Sequence, residues 1–294
     1  MNTTSGLKFG SDPEFFAAYE ENGELYVLPP VVLRAEHGAP FENNGRHPIF
    51  ARYGETIVHE DGAAFEMSTP PSSDWKSMWN TINDVKKQFG TDVLSKYGDV
   101  CLPVLHALPA MHWQVEKWLE KGTDFRLATL FGCDADKDLF NTKARCKVID
   151  ATMHPWRYAG GHIHVSGIPE IESQPLIALR CMVMSAGLAS TAYSDVPELE
   201  NERLFLYGKP GKYRIQEYSN GEMGIEYRTC STRWTESFEL AKKVFTWAEI
   251  GMRILLQKGL YLEFEPIIPD ITDAIIKVDQ NKARSILDLI QSKL

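Results

Sequence analysis

Short runs in which apolar and polar residues alternate predict β-strands in the first part of the chain. Residues 7–19 form one such run, and Asn22-Gly23 predicts the hairpin turn that follows it. Residues 56–67 predict a strand with a turn at Asp61-Gly62. Pro13 interrupts the first run, so we expect it at a strand start, a bulge or an edge, because proline cannot donate to a ladder.

A glycine-bounded stretch, residues 160–167, predicts a short half-buried strand with the sequence Gly-Gly-His-Ile-His-Val-Ser-Gly. Because side chains alternate faces along a strand, we expect His162 and His164 on the same side. Two imidazoles on one face favour a metal site or a phosphate site. Further strands are predicted over residues 102–108, 213–218 and 224–229.

Apolar residues that recur at steps of three and four predict helices elsewhere in the chain. The predicted helices cover Trp75 to about Tyr97, 174–194, 236–258, 272–278 and 282–294. Segments rich in glycine, proline and polar residues predict loops over 31–54, with Arg46, His47 and Arg52 at the tip, and over 201–214. The end of the chain, from about residue 236, is therefore expected to be helical.

Composition and charge narrow the class of protein. The 294 residues carry a formal net charge of −9 and are 44% hydrophobic, which is ordinary for a globular chain and unfavourable for an extended nucleic-acid surface. No apolar run approaches the roughly 20 residues of a spanning helix, and the N-terminus lacks a signal core. Five scattered cysteines without a CxxC pair suit a reducing compartment. We therefore expect a cytoplasmic protein with neither a membrane nor a nucleic acid as partner.

Four segments place ionisable side chains at strand or turn positions. The pairs are Asp12 and Glu14, Asp61 and Glu66, His162 and His164, and Glu226 and Arg228. Three of these pairs have the two-residue spacing that puts both side chains on one face. Carboxylates with one or two histidines favour Mg²⁺ or Mn²⁺ over Zn²⁺, because hard oxygen donors suit these ions. The alternative is that each acidic pair lies on a solvated edge strand.

Basic residues in the last third of the chain are candidates for binding phosphate. They are Arg203, Lys209, Lys212, Arg214, Arg228 and Arg233. Buried carboxylates cluster only when something neutralises them, and divalent ions would do so while also holding phosphates. The sequence thus predicts a metal-dependent nucleotide site.

The order of these segments resembles the catalytic region of glutamine synthetase. The matching stretches are Gly10–Phe16, His59–Glu66, Gly161–His164, Arg214 and Glu226–Arg228. The sequence is more closely similar to a phage-encoded branch of that superfamily, the COOH–NH2 ligases. The shared motifs are GxDxEF at the start, DGxxxE, RxxGGHIH from Arg157, Leu-Tyr-Gly-Lys-Pro-Gly over 206–211, and Glu226-Tyr227-Arg228.

This resemblance implies an ATP-dependent ligase that joins a small-molecule or peptide carboxylate to an amine through an acyl phosphate. It also implies an α+β fold, a glutamine synthetase-like barrel of antiparallel strands with flanking helices, in one catalytic domain over residues 1–294. ATP and two Mg²⁺ or Mn²⁺ ions would be the cofactors. The glutamate-binding and ammonium-binding loops of glutamine synthetase are not recognisable, so glutamine synthesis itself is not expected.

Matched residue by residue, the resemblance implies a role for each site residue. One ion would be held by Glu14, Glu66 and either Asp61 or Glu60, and the other by Asp12, His162 and Glu226. Asp12 departs from the glutamate of the pattern, so its carboxylate reaches one methylene less. His164 and Arg228 would contact the phosphates of ATP, Arg214 would steady the transferred phosphoryl group, and Arg157 and Lys209 are further candidates for anion binding. Arg214, Arg228 and Glu226 would therefore be the catalytic residues.

Three other functions are compatible with the same residues. The first is a metal-dependent hydrolase in which His162 and His164 bind zinc. The second is a guanidine-kinase-like phosphotransferase on a related barrel. The third is a non-catalytic phage protein that keeps the fold for interaction. The sequence leaves the two substrates and the oligomeric state open.

Overall fold

An antiparallel sheet of eight strands forms the centre of the protein. The computed structural model describes residues 6–45, 47–98, 100–101, 107–110, 112–131, 137–141, 148–218 and 221–294. The strands in these residues are β1 (Lys8–Phe15), β2 (Ala17–Glu21), β3 (Glu24–Leu28), β4 (Ile49–Tyr53), β5 (Thr56–Asp61), β6 (Ala64–Ser68), β7 (Ala107–Pro109), β8 (Leu130–Phe131), β9 (Lys137–Asp138), β10 (Ile149–Asp150), β11 (Trp156–Tyr158), β12 (Gly161–Ser166), β13 (Lys212–Glu217) and β14 (Met223–Tyr227). The central sheet has the order β4-β5-β6-β1-β12-β14-β13-β9, and three two-stranded pairs, β2-β3, β7-β11 and β8-β10, accompany it.

Helices pack around this sheet and make the protein a mixed α+β structure. They are α1 (Pro30–Glu36), α2 (Trp75–Asp92), α3 (His112–Glu120), α4 (Thr123–Arg126), α5 (Pro169–Ser173), α6 (Pro175–Met182), α7 (Leu188–Ala192), α8 (Pro197–Leu206), α9 (Phe238–Ile250), α10 (Tyr261–Phe264), α11 (Ile268–Ile276) and α12 (Gln280–Gln291). A π-helical segment, Val183–Gly187, joins α6 to α7, and a second one, Gly251–Leu256, follows α9. Short 3₁₀ turns are formed by Leu94–Tyr97, Leu127–Thr129, Thr232–Thr235 and Glu265–Ile267.

Aromatic packing shows which face of the sheet the helices cover. Phe9 on β1 meets Phe245 of α9 edge to face at 5.5 Å, and Trp75 of α2 stacks on the same ring at 5.6 Å. Phe15 and Phe65 likewise pack with Phe89 of α2. Because side chains alternate along a strand, the residues between these aromatics point to the opposite face. The apolar core therefore lies on one side of the sheet, and the other side is left for polar side chains.

Most of the predicted elements are confirmed. The hairpin at Asn22-Gly23 joins β2 to β3, and the hairpin at Asp61-Gly62 joins β5 to β6. Asp74 caps α2 by accepting hydrogen bonds from the backbone N–H groups of Lys76 and Ser77. The apolar stretch Pro175–Ala192 is long and apolar enough to cross a membrane, but 72% of it is buried in the protein, as expected for a core helix.

Two loop predictions were wrong in part. Residues 31–54 contain α1 and β4, because the apolar run Val31-Val32-Leu33 is buried and Pro30 starts the helix. Residues 201–206 belong to α8, which buries Arg203, so the basic loop is shorter than predicted. Residues 102–106 of one predicted strand and Arg46 of a predicted loop lie outside the described residues.

Two strand predictions were also wrong. Pro13 lies inside β1, whose neighbours in the sheet are β6 and β12. The N–H of Glu14 points to the carbonyl of Gly160, so the nitrogen of Pro13 faces the β6 side. The pairing between β1 and β6 begins only at Glu14, so the backbone N–H that Pro13 lacks would fall where the ladder is irregular. Strand β12 was predicted to be half-buried, but five of its six residues are buried, because it is a central strand.

Candidate metal and nucleotide site

The polar face of the sheet carries the predicted acidic and histidine residues side by side. The register pairs Glu14 with Glu66, Asp12 with His162, and His164 with Glu226. Directly paired residues of an antiparallel ladder have their side chains on the same face. Five adjacent strands, β5, β6, β1, β12 and β14, therefore bring four distant segments of the chain to one place, and β13 extends the row.

Three carboxylates form a first group at the junction of β5, β6 and β1. Glu14, Asp61 and Glu66 each offer an oxygen atom, and these atoms lie within 4.8 Å of one another. Glu14 is held by the backbone N–H of Gly160 at 2.7 Å. Glu66 lies 3.2 Å from Nε2 of His59, which is paired with it across the hairpin. The arrangement leaves oxygen atoms from three strands facing a common point.

The geometry of β5 favours Asp61 over Glu60 as the third member of this group. Glu60 is bonded by Arg34, with Nε–Oε2 at 3.0 Å and Nη2–Oε1 at 3.3 Å. Asp61 instead belongs to the group with Glu14 and Glu66. A carboxylate held by two guanidinium bonds is already neutralised, so Asp61 is the better candidate for a cation ligand.

A second group lies on the other side of β1. Asp12, His164 and Glu226 place one ligand atom each within 4.8 Å of the others. The Nε2 of His164 is 3.2 Å from Oδ1 of Asp12. Glu226 accepts hydrogen bonds from Arg228 and from Gln216, and it is completely buried. Two carboxylates and one imidazole thus share this position.

His162 lies deeper than the second group and is fully buried. Its Nδ1 is 3.0 Å from Asp12 and 3.4 Å from Glu226, and its Nε2 is 2.9 Å from the hydroxyl of Tyr207. The predicted division, with His162 on a metal and His164 on a phosphate, differs from this geometry. The structure places His164 among the candidate ligand atoms and surrounds both ring nitrogens of His162 with protein groups.

Burial and mutual repulsion shape the electrostatics of the first group. Burial raises the pKa of Glu66 well above its usual value, and the charges of Asp12, Asp61 and Glu14 raise it further. Burial also raises the pKa of Glu14, although the nearby His162 opposes this. Carboxylates in such a place hold a proton more tightly unless a cation compensates them.

The second group is compensated by cations of the protein itself. Burial alone would raise the pKa of Asp12, but His162 and His164 outweigh it and hold that pKa well below its usual value. Burial and the charge of Asp12 raise the pKa of Glu226, whereas Arg228 and the two histidines lower it, and the resulting pKa is below its usual value. Asp12 and Glu226 are therefore ionised at neutral pH.

The donor set fits a hard divalent cation. Five carboxylates and one imidazole make up the two groups, and oxygen-rich sets of this kind suit Mg²⁺ or Mn²⁺. No protein-family model and no curated protein matches this chain. A zinc site made by the two histidines would need both imidazoles to be open, and His162 is engaged on both nitrogens.

The cleft above these groups has two compartments. The first has a volume of about 290 Å³ and is walled by apolar and aromatic residues, including Phe16, Phe131 and Tyr158. The second has a volume of about 350 Å³ and is walled mainly by polar and charged residues. Its polar walls include Asp12, His59, Glu66, Ser68, Thr69, His164, Arg214, Gln216 and Tyr218. His47, Asp61 and Arg228 line both compartments, so the two meet at the acidic centre.

The predicted cations divide into those at the cleft and those used elsewhere. Arg228 and Arg214 line the second compartment, and Arg214 Nη1 is 3.8 Å from Glu226. Arg203 is bound to Glu200 and to the carbonyl of Thr229. The other members also have partners in the structure: Arg233 pairs with Asp195 and Glu236, Lys212 pairs with Asp138, and Lys209 lies over the ring of Phe205. Only two of the six predicted phosphate-binding residues, Arg214 and Arg228, line the cleft as the structure describes it.

Arg157 lies in the wall of the first compartment rather than with the phosphate-binding candidates. Its Nε donates to the carbonyl of Ala128, and its Nη1 donates to the carbonyls of His154 and Trp156. Burial lowers the pKa of its guanidinium to about 10, so it stays charged at neutral pH. Arg157 therefore has a clear structural role in joining the segment around Ala128 to the His154–Trp156 stretch.

Tyr207 and Gln216 were not assigned a role from the sequence, and the loop tip with His47 was expected either to meet a substrate or to be a solvated surface loop. Tyr207 donates from its hydroxyl to Glu14 at 3.1 Å, and Gln216 donates to Glu226. His47, at the tip of the predicted loop, lies with its ring 5.5 Å from that of His59. Gln216 shares the face of Arg214 by the two-residue period, which would have identified it. Arg52, in contrast, pairs with Glu42 at the surface.

Proposed function

We propose that the protein is an ATP-dependent carboxylate–amine ligase with two divalent cations. The observation that carries the proposal is the pair of three-residue ligand groups on one face of the sheet, with Arg214 and Arg228 beside them. Enzymes that transfer phosphoryl groups use divalent cations and arginines together to stabilise the charge on the phosphate. The motif order and the antiparallel sheet with helices on its other face support a glutamine synthetase-like barrel as the fold.

The two compartments support a division of the substrates. The polar compartment with Arg214, Arg228 and His164 suits the triphosphate of ATP. The compartment with apolar and aromatic walls suits the carboxylate substrate and the amine. Because both compartments reach Asp61 and Arg228, the γ-phosphate and the attacking carboxylate would meet at the acidic centre.

The chemistry follows from the poor reactivity of a carboxylate toward amines. The substrate carboxylate attacks the γ-phosphate of ATP, which gives an acyl phosphate and ADP. The amine then displaces phosphate and forms the amide bond. Bound divalent ions would neutralise the phosphate oxygens and the acidic groups. Arg214 and Arg228 stabilise the charge that develops on the transferred phosphoryl group.

Phosphate release from ATP is the direct test of this function. Wild-type protein with Mg²⁺ should release phosphate only when both a carboxylate and an amine from a substrate panel are present, and mass spectrometry should find the amide. Glu226→Gln should abolish the release, because it removes a ligand from the second group. Glu217→Gln is the matched control, since Glu217 is an exposed residue on the neighbouring strand β13.

Each competing function has its own outcome in this assay. A phosphorylated guanidine product would replace the ligase by a phosphotransferase. Stoichiometric zinc and hydrolysis without a nucleotide would replace it by a hydrolase. An unaltered biological role in the Glu226→Gln variant, with no turnover in the wild type, would indicate a non-catalytic interaction protein.

A further inference from the structure

Tyr207 reaches the acidic centre from a part of the chain to which the proposed function assigns no role. It follows α8 in the Leu-Tyr-Gly-Lys-Pro-Gly stretch, and it is buried. Its hydroxyl lies 2.9 Å from Nε2 of His162 and 3.1 Å from Oε1 of Glu14. One hydroxyl therefore touches a member of the first ligand group and the histidine beneath the second.

The surrounding chain holds this tyrosine firmly. Its backbone N–H donates to the carbonyl of Arg203 at 2.6 Å, and Arg203 is itself fixed by Glu200 and by the carbonyl of Thr229. Gly208 has a φ of +73°, and a Cβ there would collide with the guanidinium of Arg203. The glycine after Tyr207 is therefore needed for the chain to turn against that arginine.

The space around the hydroxyl is equally tight at Gly160. A Cβ at Gly160 would lie 2.6 Å from Nε2 of His162, 2.8 Å from the hydroxyl of Tyr207 and 3.1 Å from Oε1 of Glu14. The first two distances are too short for a carbon atom and the third is tight, so a side chain at this position would displace His162 and Tyr207. The backbone N–H of the same glycine binds the other oxygen of Glu14.

Two hydrogen bonds and two close ion-pair contacts connect the two ligand groups. The hydroxyl has one proton, and it donates this proton to Glu14. His162 must then donate from Nε2 to the hydroxyl oxygen, since that oxygen accepts. The Nδ1 of His162 lies 3.0 Å from Oδ1 of Asp12, 3.4 Å from Oε1 of Glu226 and 3.2 Å from Nη1 of Arg228. The contacts thus run from Glu14 through Tyr207 and His162 to both carboxylates of the second group, and Nδ1 donates to those carboxylates in the imidazolium form, in which both ring nitrogens carry a proton.

We propose that Tyr207 and His162 form a buried bridge that positions the ligands of the two cation groups relative to each other. Neither side chain would touch the ions; both act by fixing the carboxylates that do. Binding of a cation at one group then favours binding at the other, because the bridge holds both sets of oxygens in place. This inference rests on the cation centre of the proposed function but not on its ligase chemistry.

Calorimetric titration with Mn²⁺ alone tests the bridge. Tyr207→Phe keeps the ring and removes only the hydroxyl, and it should weaken Mn²⁺ binding by about 10–100-fold and abolish the cooperativity between the two ions. Tyr158→Phe is the matched control. Tyr158 is buried in the wall of the same compartment, but its hydroxyl lies 3.1 Å from Glu202, so Mn²⁺ binding should be unchanged.

The outcomes separate the bridge from the proposed function. Wild-type Mn²⁺ affinity and cooperativity in Tyr207→Phe would overturn the bridge alone. A wild-type protein that binds no Mn²⁺ would overturn both the cation centre and the bridge. Two cooperative Mn²⁺ ions without any ATP-dependent product would overturn the ligase and leave the bridge supported. If Tyr207→Phe does not fold, as judged by circular dichroism, His162→Gln should show the same loss, because it breaks the link to Asp12.

Discussion

Replacing Glu66 by glutamine should stabilise the protein without metal and destabilise it relative to wild type with metal. Glu66 lies among Glu14 and Asp61, with ligand atoms within 4.8 Å, and its pKa is raised well above the usual value by burial and by these charges. Glutamine has nearly the same shape and no charge. It therefore removes the repulsion that acts in the absence of metal and also removes one oxygen charge from the cation site.

The size of the effect can be bounded from the structure. Two like charges 4.8 Å apart repel by about 3.5 kcal/mol at an effective dielectric constant of about 20. Proton uptake limits the penalty, because protonating a glutamate whose ordinary pKa is 4.5 costs about 3.4 kcal/mol at about pH 7. Loss of the 3.2 Å contact between Glu66 and His59 reduces the stability gained by the substitution by up to about 1 kcal/mol. These figures leave a net gain of up to about 2–3 kcal/mol, which should raise Tm by up to about 4–12 °C.

Thermal unfolding with chelator and with Mn²⁺ measures both halves of this prediction. The folded pKa of Glu66 is raised, so wild-type stability in chelator is lost as pH rises from the unfolded value of about 4.5 toward the folded one. The advantage of Glu66→Gln should therefore grow with pH in this window and vanish below it. Glu217→Gln, at an exposed position of the same sheet, should follow the wild type throughout.

Two results would refute the reasoning. A Glu66→Gln variant that is less stable than wild type in chelator would show that the acidic cluster is not strained by its charges. A variant that Mn²⁺ stabilises as much as the wild type would show that Glu66 does not bind the cation. A variant that has a higher Tm than wild type in chelator and a lower Tm than wild type in Mn²⁺ shows the specific signature of a ligand carboxylate.

Two further changes probe the cleft and the sheet. Arg214→Ala should lower kcat for phosphate release by about 100-fold, because it removes a cation from the polar compartment. Lys212→Ala removes a cation that pairs with Asp138 and does not line that compartment, so it should change kcat little. Gly161→Ala should lower the free energy of unfolding in urea by about 1–3 kcal/mol, because its Cβ would lie 2.5 Å from the carbonyl oxygen of Ser231 and 2.6 Å from Cα of Thr232. Gly6→Ala is the control, since a Cβ there meets no atom within 4 Å and should change the stability little.

Strand periodicity explains how much of the site could be predicted from the sequence. The two-residue period placed Asp12 with Glu14 and His162 with His164, and in the sheet these pairs do share the polar face. The Asp61-Gly62 turn also brought Glu66 back beside Glu14, as the hairpin predicts. Periodicity works here because each strand needs one face for the apolar core, which leaves the polar side chains a single direction.

Depth and hydrogen-bond partners could not be predicted in the same way. The sequence does not show whether an arginine faces a ligand or satisfies backbone carbonyls, as Arg157 and Arg203 do. Pro13 was expected at a strand start, a bulge or an edge because proline has no backbone N–H to donate. The sequence does not show that the pairing between β1 and β6 begins only at Glu14, which leaves no partner that needs this donor. Such features depend on contacts between distant segments, and local patterns carry no information about them.

The two histidines of β12 provide the sharpest remaining test, because the family resemblance and the geometry assign them different parts. The structure gives His164 the more accessible position beside Asp12 and Glu226, so His164→Ala should remove a candidate ligand and weaken Mn²⁺ binding at the second group directly. His162→Gln should instead weaken both ions together, since it breaks the bridge through Tyr207. Titration of the two variants with Mn²⁺ separates the cases. Loss confined to one ion in His162→Gln and to neither in His164→Ala would restore the division that the family resemblance implies, with His162 on the metal and His164 on a phosphate.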